Sequence, residues 1–571
     1  MRLVYNSERG KPLGRQKEEC RMKKTEARGD FRILDVWRLW VLKMGLFTGG
    51  NREDTNFLLT INHKFSIEFV QRFRENEGGM SYLRSVNCPL SWRAALLFVA
   101  GAIICFHVAY LRTSFGPLHL AIFGYLICLT QLSRLKTTRQ SFHAGFLTGF
   151  LCVAPQLFFF WKIFGPAAIA LWTILALWTA AFTGLTRAIL TRFGMIWAAA
   201  LIPFVWTGLE YFRSELYYLK FSWMNVGYAF SSWQLFPFHI FGMYGAGFVA
   251  AVCGAAFLIF RAHYATFAAL ILTMAVATTG VLVMAIAILQ PAFSQAHYPQ
   301  QVRIAGVQME FPPEADIPRA LDALLTEHPN ADILLLSEYT LDGPVPVPIK
   351  YWCRAHQRYL VIGGKDLLPN NNFYDTAFVV GPDGEIVFRQ VKSVPIQFFK
   401  DGLPAPEQTV WNSPWGKIGF CVCYDLSYTR VIDGLVKKGA QLIIVPTMDV
   451  IDWGERQHQL HALVAPVRAA EYRLPIFRLA SSGISQAVNS DGSELATAPF
   501  GGEGKSLFAI FNLPAKGSLP MDRYFAPFAS CLTGIMVMVL WVSRPKKTST
   551  APAEASKQSP LLAGASTPSE K

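Results

Sequence analysis

From residue 94 to residue 290 the chain runs as long apolar blocks broken by short polar stretches, at 94–111, 116–132, 143–162, 165–184, 194–209, 236–260 and 265–290. An eighth block follows at 526–542. Most of these are long enough to cross roughly 30 Å of hydrocarbon as helices. Between residues 301 and 513 the pattern changes to short apolar runs alternating with amphipathic segments, which predicts strands and helices in turn. Strands are expected at Val302–Val307, Ile333–Leu336, Tyr359–Gly363, Phe373–Val380, Ile386–Lys392, Lys417–Cys423, Leu442–Pro446, Ile476–Ser481 and Ser485–Val488. Helices are expected at Ile317–Leu325, Thr429–Lys438 and 455–473. Tight turns are marked by Pro382-Asp383-Gly384 and Ser490-Asp491-Gly492.

Composition sharpens this division. A chain of 571 residues with 52% hydrophobic content is too long for one ordinary domain and too apolar, block by block, for a soluble core. The expected organisation is a charged extension at 1–90 without a compact fold, about seven membrane spans in 91–290, an exported α/β domain at 291–525, a final span at 526–543 and a disordered tail at 544–571. A short interfacial helix around Phe31–Phe47 is the alternative for the extension, and Met80 marks a compact start just before the first span.

The net charge of +14 is read as topogenic. Arg84, Arg93, Arg134, Lys136, Arg139, Arg187, Arg192, Arg261, Arg544, Lys546 and Lys547 fall in loops on one side of the expected spans, and few basic residues fall on the other. The positive-inside rule then puts 291–525 outside the cytoplasm. No basic-aromatic interleaving of the kind a nucleic-acid surface needs is present.

Cysteine usage does not suggest a disulfide framework. Cys105, Cys128, Cys152, Cys253 and Cys531 fall in apolar blocks, where a thiol behaves as a small hydrophobe. Cys421 and Cys423 are not expected to bond to each other, so an exported domain keeps a free thiol.

Three polar residues then fall at the ends of expected strands: Glu338, Lys392 and Cys423. A thiol needs a base or a lowered pKa to act as a nucleophile. Glu338 can take that proton and return it to a leaving group, and Lys392 can support the thiolate and the oxyanion. The backbone N–H of Tyr424 is the natural second oxyanion donor. His458 and His461 lack a third ligand or partner acid at a useful spacing and are read as residues of a polar helix face. The aromatic loop 210–235, with Trp223 and Tyr228, is open to two readings: an interfacial belt, or a wall of the active site.

The segments Leu336-Ser337-Glu338, Pro382-Asp383-Gly384 through Lys392, Trp415–Gly419 with Cys423-Tyr424-Asp425, and Arg468–Glu471 leading to Ser482–Ser485 resemble the carbon-nitrogen hydrolase (nitrilase) superfamily. That resemblance implies a four-layer αββα sandwich with Glu338, Lys392 and Cys423 as its triad and Cys421 as a bystander. Together with Glu210–Arg213, Ser222-Trp223, Gly227-Tyr228 and Phe241–Gly245, the spans preceding the domain make the chain similar to the superfamily's membrane branch, the apolipoprotein N-acyltransferases. Two departures stand out: the Pro-Phe-Gly-Glu-Tyr stretch usual after the lysine reads Val394–Lys400, and the usual Cys-Tyr-Glu reads Cys423-Tyr424-Asp425. The second glutamate of that stretch has no direct counterpart, with Gln397 and Asp401 as nearby substitutes.

The resemblance implies an acyl transfer from a membrane phospholipid, through a thioester on Cys423, to the α-amino group of an S-diacylglyceryl-cysteine in an apolipoprotein. It implies a bacterial inner membrane with the domain in the periplasm, and neither metal nor organic cofactor. Phe398, Phe399, Trp453, Trp223 and Tyr228 are the expected apolar contacts. A membrane-tethered amidase and a non-enzymatic scaffold for lipoprotein trafficking remain as alternatives.

Overall fold

The structure, a computed structural model, describes residues 89–111, 115–232, 236–262 and 300–542. The N-terminal extension, the block at 265–290 and the C-terminal tail lie outside the described residues.

The helical region contains α1 (Trp92–Ala109), α2 (Ala121–Leu132), α3 (Thr138–Gln156), α4 (Phe159–Phe164), α5 (Ala167–Phe193), α6 (Met195–Tyr211) and α7 (Phe238–Ala262). Ser91 caps α1 by accepting from the Ala94 N–H, and Thr137 with Gln140 closes a capping box on α3. Among the described residues, five helices are long and apolar enough to cross a membrane: α1, α5, α6 with its extension to Leu216, α7 up to Phe260, and the C-terminal helix Asp522–Val542. The block at 116–132 forms a shorter apolar helical stretch. The block at 143–162 does not form one continuous helix. It divides between α3 and the short α4, with a break after Gln156.

Basic residues gather at one end of this bundle. The Leu90 N–H donates to Arg134 O at 2.9 Å, and Arg187 donates to Lys136 O at 3.0 Å, so the start of α1, the α2–α3 turn and the end of α5 meet there. The opposite end carries Tyr110, Gln156 and Asn225, with the Tyr110 hydroxyl donating to Asn225 O at 2.8 Å. The α/β domain sits on that second end: Arg456 donates to Gln156 Oε1 at 2.8 Å and to Tyr110 O at 3.0 Å.

That domain is built from two six-stranded sheets. In chain order its elements are β1 (Gln301–Val307), α8 (Ile317–Glu327), β2 (Ile333–Leu335), α9 (Val347–His356), β3 (Tyr359–Leu367), β4 (Phe373–Val380), β5 (Ile386–Val391), β6 (Val410–Ser413), β7 (Gly416–Phe420), α10 (Thr429–Lys437), β8 (Leu442–Thr447), α11 (Glu455–Ala462), α12 (Val464–Tyr472), β9 (Ile476–Ala480), β10 (Ser485–Val488), β11 (Glu494–Ala498) and β12 (Ser506–Asn512), followed by α13 (Asp522–Val542). The sheet orders are β12-β1-β2-β3-β4-β5 and β11-β10-β9-β8-β7-β6.

Strand alternation sorts the side chains into two cores. Ile333, Leu335, Val361, Ala377 and Val379 join the core shared with the second sheet. Their neighbours Leu334, Leu336, Leu360, Ile362, Phe378 and Val380 face a separate core with Leu321 and Leu324 of α8 and Ile349, Trp352 and Cys353 of α9. This is an αββα arrangement in which both faces of the central strands are buried, so the strands read as continuous apolar runs.

Three local expectations need correction. The strand expected through Cys423 ends at Phe420, because Cys423 takes a left-handed φ of 52° and opens a turn of 3₁₀ helix over Cys423–Ser427. The helix expected at 455–473 is two helices meeting at Leu463, since the Pro466 ring occupies the first turn of the second and lacks the N–H that would continue the first. His458 and His461 do not lie on an exposed polar face; both are fully buried against Asp449.

Candidate active site

The loop after β2 carries Glu338, the loop after β5 carries Lys392 and the turn after β7 carries Cys423. Packing brings β3 close under the first of these. A side chain at Gly363 would place its Cβ 2.6 Å from Ser337 O, so only glycine lets the strand pass there. All three site residues are buried.

Lys392 Nζ is the centre of the cluster. It lies 2.7 Å from Glu338 Oε1, 2.8 Å from Asp401 Oδ2 and 3.3 Å from Asp375 Oδ2. Glu338 Oε2 accepts from the Met448 N–H at 2.6 Å, and the Cys423 thiol donates toward Met448 O at 3.7 Å. Met448 therefore bridges acid and thiol through its backbone. The three carboxylates could by themselves hold a cation, with oxygens within 4.8 Å of one another. The Lys392 ammonium already provides one in contact with all three.

Burial would push the ammonium of Lys392 down, but Glu338, Asp401 and Asp375 outweigh it and hold the pKa well above its ordinary value. Burial and the Glu338 charge push the Asp375 carboxyl far up. Burial also raises the Cys423 thiol well above its ordinary value, with Glu338 adding to the rise and Lys392 opposing it. A thiol raised in this way needs a base before it can act as a nucleophile. Asp425 locks the turn to the Lys392 loop by accepting from the N–H groups of Ser393 and Val394, each at 2.8 Å, and burial lifts its carboxyl to about 6.

Asp401 is one of the two nearby substitutes expected for the missing second glutamate, whereas Asp375 had no expected role. Asp401 follows the divergent Val394–Lys400 stretch, and besides Lys392 it accepts from the Tyr339 hydroxyl at 2.9 Å and the Ile396 N–H at 2.7 Å. An acid that close in sequence after the lysine was a usable signal. Asp375 lies within β4, and only the sheet pairing brings it to the Lys392 loop, through the Lys392 N–H to Asp375 O bond at 2.8 Å.

A cavity of about 840 Å³, counting its open mouth, reaches Cys423 from the helical region. Phe159, Phe160, Ile163 and Phe164 of α4 with Leu171 and Leu175 of α5 form one wall, and Trp223, Phe398, Phe399 and Trp453 form much of the rest. Trp223 is held from two sides: its ring stacks on His461 with centroids 4.9 Å apart, and its indole N–H donates to Ser427 Oγ at 3.2 Å. His461 is in turn paired with Asp449 at 2.8 Å, and burial together with Arg478 keeps its pKa below the ordinary value. Tyr228 does not reach this cavity. It is fully buried under the junction of the two regions, with the Arg468 guanidinium 5.8 Å from its ring centre. Tyr424 lies at the cavity, its ring 5.4 Å from that of Trp223.

Two sheets packed face to face, with layers of helix outside them, define the class as a carbon-nitrogen hydrolase fold, and the carbon-nitrogen hydrolase family profile matches residues 259–511. The preceding helical region matches a second profile, the apolipoprotein N-acyltransferase N-terminal domain, over residues 100–256. With both in this order, the chain belongs to the apolipoprotein N-acyltransferases of the nitrilase superfamily. It is 23% identical over 471 residues to the apolipoprotein N-acyltransferase of Geobacter metallireducens, covering 72% of this chain and 88% of that one. It is 25% identical over 222 residues to that of Bdellovibrio bacteriovorus, covering 35% of this chain and only 39% of the relative. A shorter match, 30% identical over 98 residues, links it to an omega-amidase of Xenopus laevis, covering 15% of this chain and 36% of the amidase. Among solved structures, a carbon-nitrogen hydrolase of Helicobacter pylori aligns over 43% of this chain and 96% of its own, at 16% identity and a TM-score of 0.33.

Proposed function

We propose that the protein transfers a fatty acyl chain from a membrane phospholipid to the α-amino group of an S-diacylglyceryl-cysteine at the start of an apolipoprotein, through a thioester on Cys423. The observation that carries the reading is the position of a buried thiol at the floor of an apolar cavity walled by α4 and α5 of the helical region. A water-soluble amide has no need of such a wall; an acyl chain lying in a bilayer does.

In the first half-reaction Glu338 takes the Cys423 proton as the sulfur attacks the ester carbonyl. The tetrahedral oxyanion is met by Lys392 and by the Tyr424 N–H, which is free to donate as the first turn of a helix leaves its N–H groups without internal partners. Collapse of this intermediate breaks the ester C–O bond, Glu338 returns its proton to the departing lysophospholipid oxygen, and the acyl group remains on sulfur. In the second half-reaction the lipoprotein amine attacks the thioester, Glu338 accepts its proton, and the C–S bond breaks to give the amide and restore the thiol. Asp375 and Asp401 keep Lys392 charged and fixed throughout. Every step is carried by these side chains and backbone groups. The basic end of the bundle supports a cytoplasmic placement of that end in a bacterial inner membrane, with the α/β domain in the periplasm.

The test is mass spectrometry of the purified protein after incubation with phosphatidylethanolamine. A fatty-acyl mass on the Cys423 peptide, removable by hydroxylamine and absent in Cys423→Ala, is expected. The partial likeness to omega-amidases and the Asp425 variation favour a second reading, a membrane-tethered amidase. An unmodified Cys423 in folded protein that hydrolyses amides would put that reading first.

A further inference from the structure

A second cleft reaches the same cluster from a different side. It is lined by Phe311, Tyr339, Asp342, Lys365, Lys400 and Asp401 among others, all of them from the α/β domain and none from the membrane helices. It holds about 930 Å³ including its open mouth, and its walls mix charged and aromatic groups. Ile396, Phe399 and Trp453 belong to both cavities and form the partition between them. Met448, whose N–H holds Glu338 and whose carbonyl faces the Cys423 thiol, lines this second cleft, while Cys423 itself lines the first. The reacting atoms therefore lie between an apolar mouth toward the lipid and a polar mouth toward water.

The walls of the polar cleft are ordered. Lys365 is paired with Asp342 and lies over the rings of Tyr339 and Phe373, with its Nζ 5.7 Å and 5.2 Å from the two ring centres. Asp342 nonetheless presents a side chain that is 91% exposed, and Lys400 is exposed beside it. A long-chain acyl group gains nothing in such a cleft, since burial there leaves charged groups without water. A peptide can pair with both charges and lay its backbone along the aromatic rings.

We propose that this cleft takes the extended polypeptide segment that follows the lipidated cysteine of the acceptor, while the acceptor's diacylglyceryl chains stay in the apolar cavity. The inference rests on the acyl-transfer reading above. That reaction requires the acceptor to be divided. Its lipid chains must remain with the membrane, its amine must reach the thioester carbon, and the polar chain beyond must leave by a route the membrane helices do not block. The second cleft, lined by the α/β domain alone among the described residues, gives that route.

The experiment separates the two half-reactions in the full-length protein in detergent. Acyl transfer onto Cys423 from phosphatidylethanolamine is followed by mass spectrometry. Discharge of that acyl group is then timed with two acceptors, S-diacylglyceryl-cysteine amide and a synthetic S-diacylglyceryl-cysteine peptide extended by ten residues. Pro312 and Lys400 both line the cleft, so Pro312→Trp and Lys400→Trp are placed to fill it, and Asp342→Lys to reverse its charge. Formation of the acyl-enzyme at the unmodified rate shows that each variant is folded. The expected result is a loss of about tenfold in discharge to the long peptide, with discharge to the short amide unchanged, as for interactions made only by the extended acceptor. Equal slowing of both acceptors, or no slowing of either, would overturn the inference and leave acyl transfer standing. Failure of the unmodified protein to acquire an acyl group on Cys423 would overturn both, and would do so at the first step.

Discussion

Two buried ionic clusters in this molecule hold their acids in different ways. Around Lys392 three carboxylates converge on one ammonium, and burial with the Glu338 charge pushes the Asp375 carboxyl far up. At the junction with the helical region, the acids are shared among many donors. Arg468 pairs with Glu471, and Arg523 pairs with Glu471 at 2.9 Å, Asp433 at 2.8 Å and Asp522 at 2.6 Å. Helix α7 restarts at Gly242, whose φ of 69° breaks the run, and this frees the N–H groups of Met243 and Tyr244. Those donate to Glu471 Oε1 at 2.8 Å and Asp522 Oδ2 at 2.9 Å, two carboxylates at a helix N-terminus. Glu215 adds a third clamp, accepting from the Thr429 N–H, its hydroxyl and the Tyr244 hydroxyl. Acid outnumbers base in both; the difference is that every junction carboxylate is held by guanidinium, hydroxyl or backbone N–H donors, while around Lys392 one ammonium serves three acids.

Breaking the first cluster should cost chemistry and little else. Cys423→Ala and Lys392→Met are expected to lower acyl transfer by at least about a thousandfold, as removal of groups that act together does. Thermal unfolding of Cys423→Ala should stay close to that of the parent, because the lost thiol is small. Lys392→Met should be the less stable of the two, since it leaves Glu338 and Asp401 without their cation. Transfer activity and melting temperature measured on the same preparations check both statements.

Breaking the second cluster should do the reverse. Glu471→Ala leaves Arg468 without its carboxylate and the Met243 N–H without its acceptor in a buried junction, and is expected to cost about 3 to 5 kcal/mol. The readout is denaturant unfolding, with limited proteolysis between the helical region and the α/β domain as the structural check. Glu471→Gln, which keeps an acceptor for the Met243 N–H, should recover part of that loss. Protein of either variant that does fold should form the thioester at a near-parental rate. A selective loss of thioester formation would show that the junction tunes the site and is not merely its mount.

Trp223 belongs to neither cluster. It covers the cavity, and it is held by His461 and Ser427 rather than by its own loop alone. Trp223→Ala should reduce acyl-enzyme formation by about tenfold through lost apolar contact with the chain, a tenfold step being about 1.4 kcal/mol. Trp223→Phe keeps the stack on His461 and should recover most of it. His461→Ala, which removes the support and leaves the tryptophan, is expected to fall between the two when the same rate is measured.

What was legible in the chain follows the same division. The long apolar blocks announced the helices, and the strand ends bearing Glu338, Lys392 and Cys423 were readable because a polar residue closing an apolar run has few structural uses. Strands β6, β11 and β12 were missed because they are edge strands, or pair at an edge, with exposed alternate positions such as Asn412, Glu494 and Ile510 that blur the pattern. Helix α9 was missed because it begins Val347-Pro348 after a proline-rich loop that reads as irregular. Asp375 and the paired charges at Glu471 and Arg523 were illegible for a different reason. Their meaning lies in partners distant in the chain, and a lone acid in a strand or a helix looks like a solvated one until the sheets and the helical region are brought together.

Cys421 and Cys423 give the smallest effect and the cleanest contrast. Both are buried and unbonded, and burial raises both thiols well above their ordinary value. Only Cys423 lines the cavity and turns left-handed at the strand's end, a conformation held by Asp425 and the Lys392 loop. Cys421 stays in the sheet core, and Cys421→Ala should cost about 1 kcal/mol of stability with transfer retained. Alkylation by a small reagent such as iodoacetamide separates the two further. The thiolate is the reactive form, and its fraction rises with pH until the pKa is passed. With the pKa above the ordinary value of 9.0, labelling of Cys423 should climb steadily from neutral pH through pH 9 without levelling off, while Cys421 stays unlabelled in the folded protein. A plateau near neutral pH would mean a thiolate already formed at rest. Lys392 would then outweigh burial and Glu338 at the sulfur, and Glu338 would be needed only to hand a proton to the leaving group.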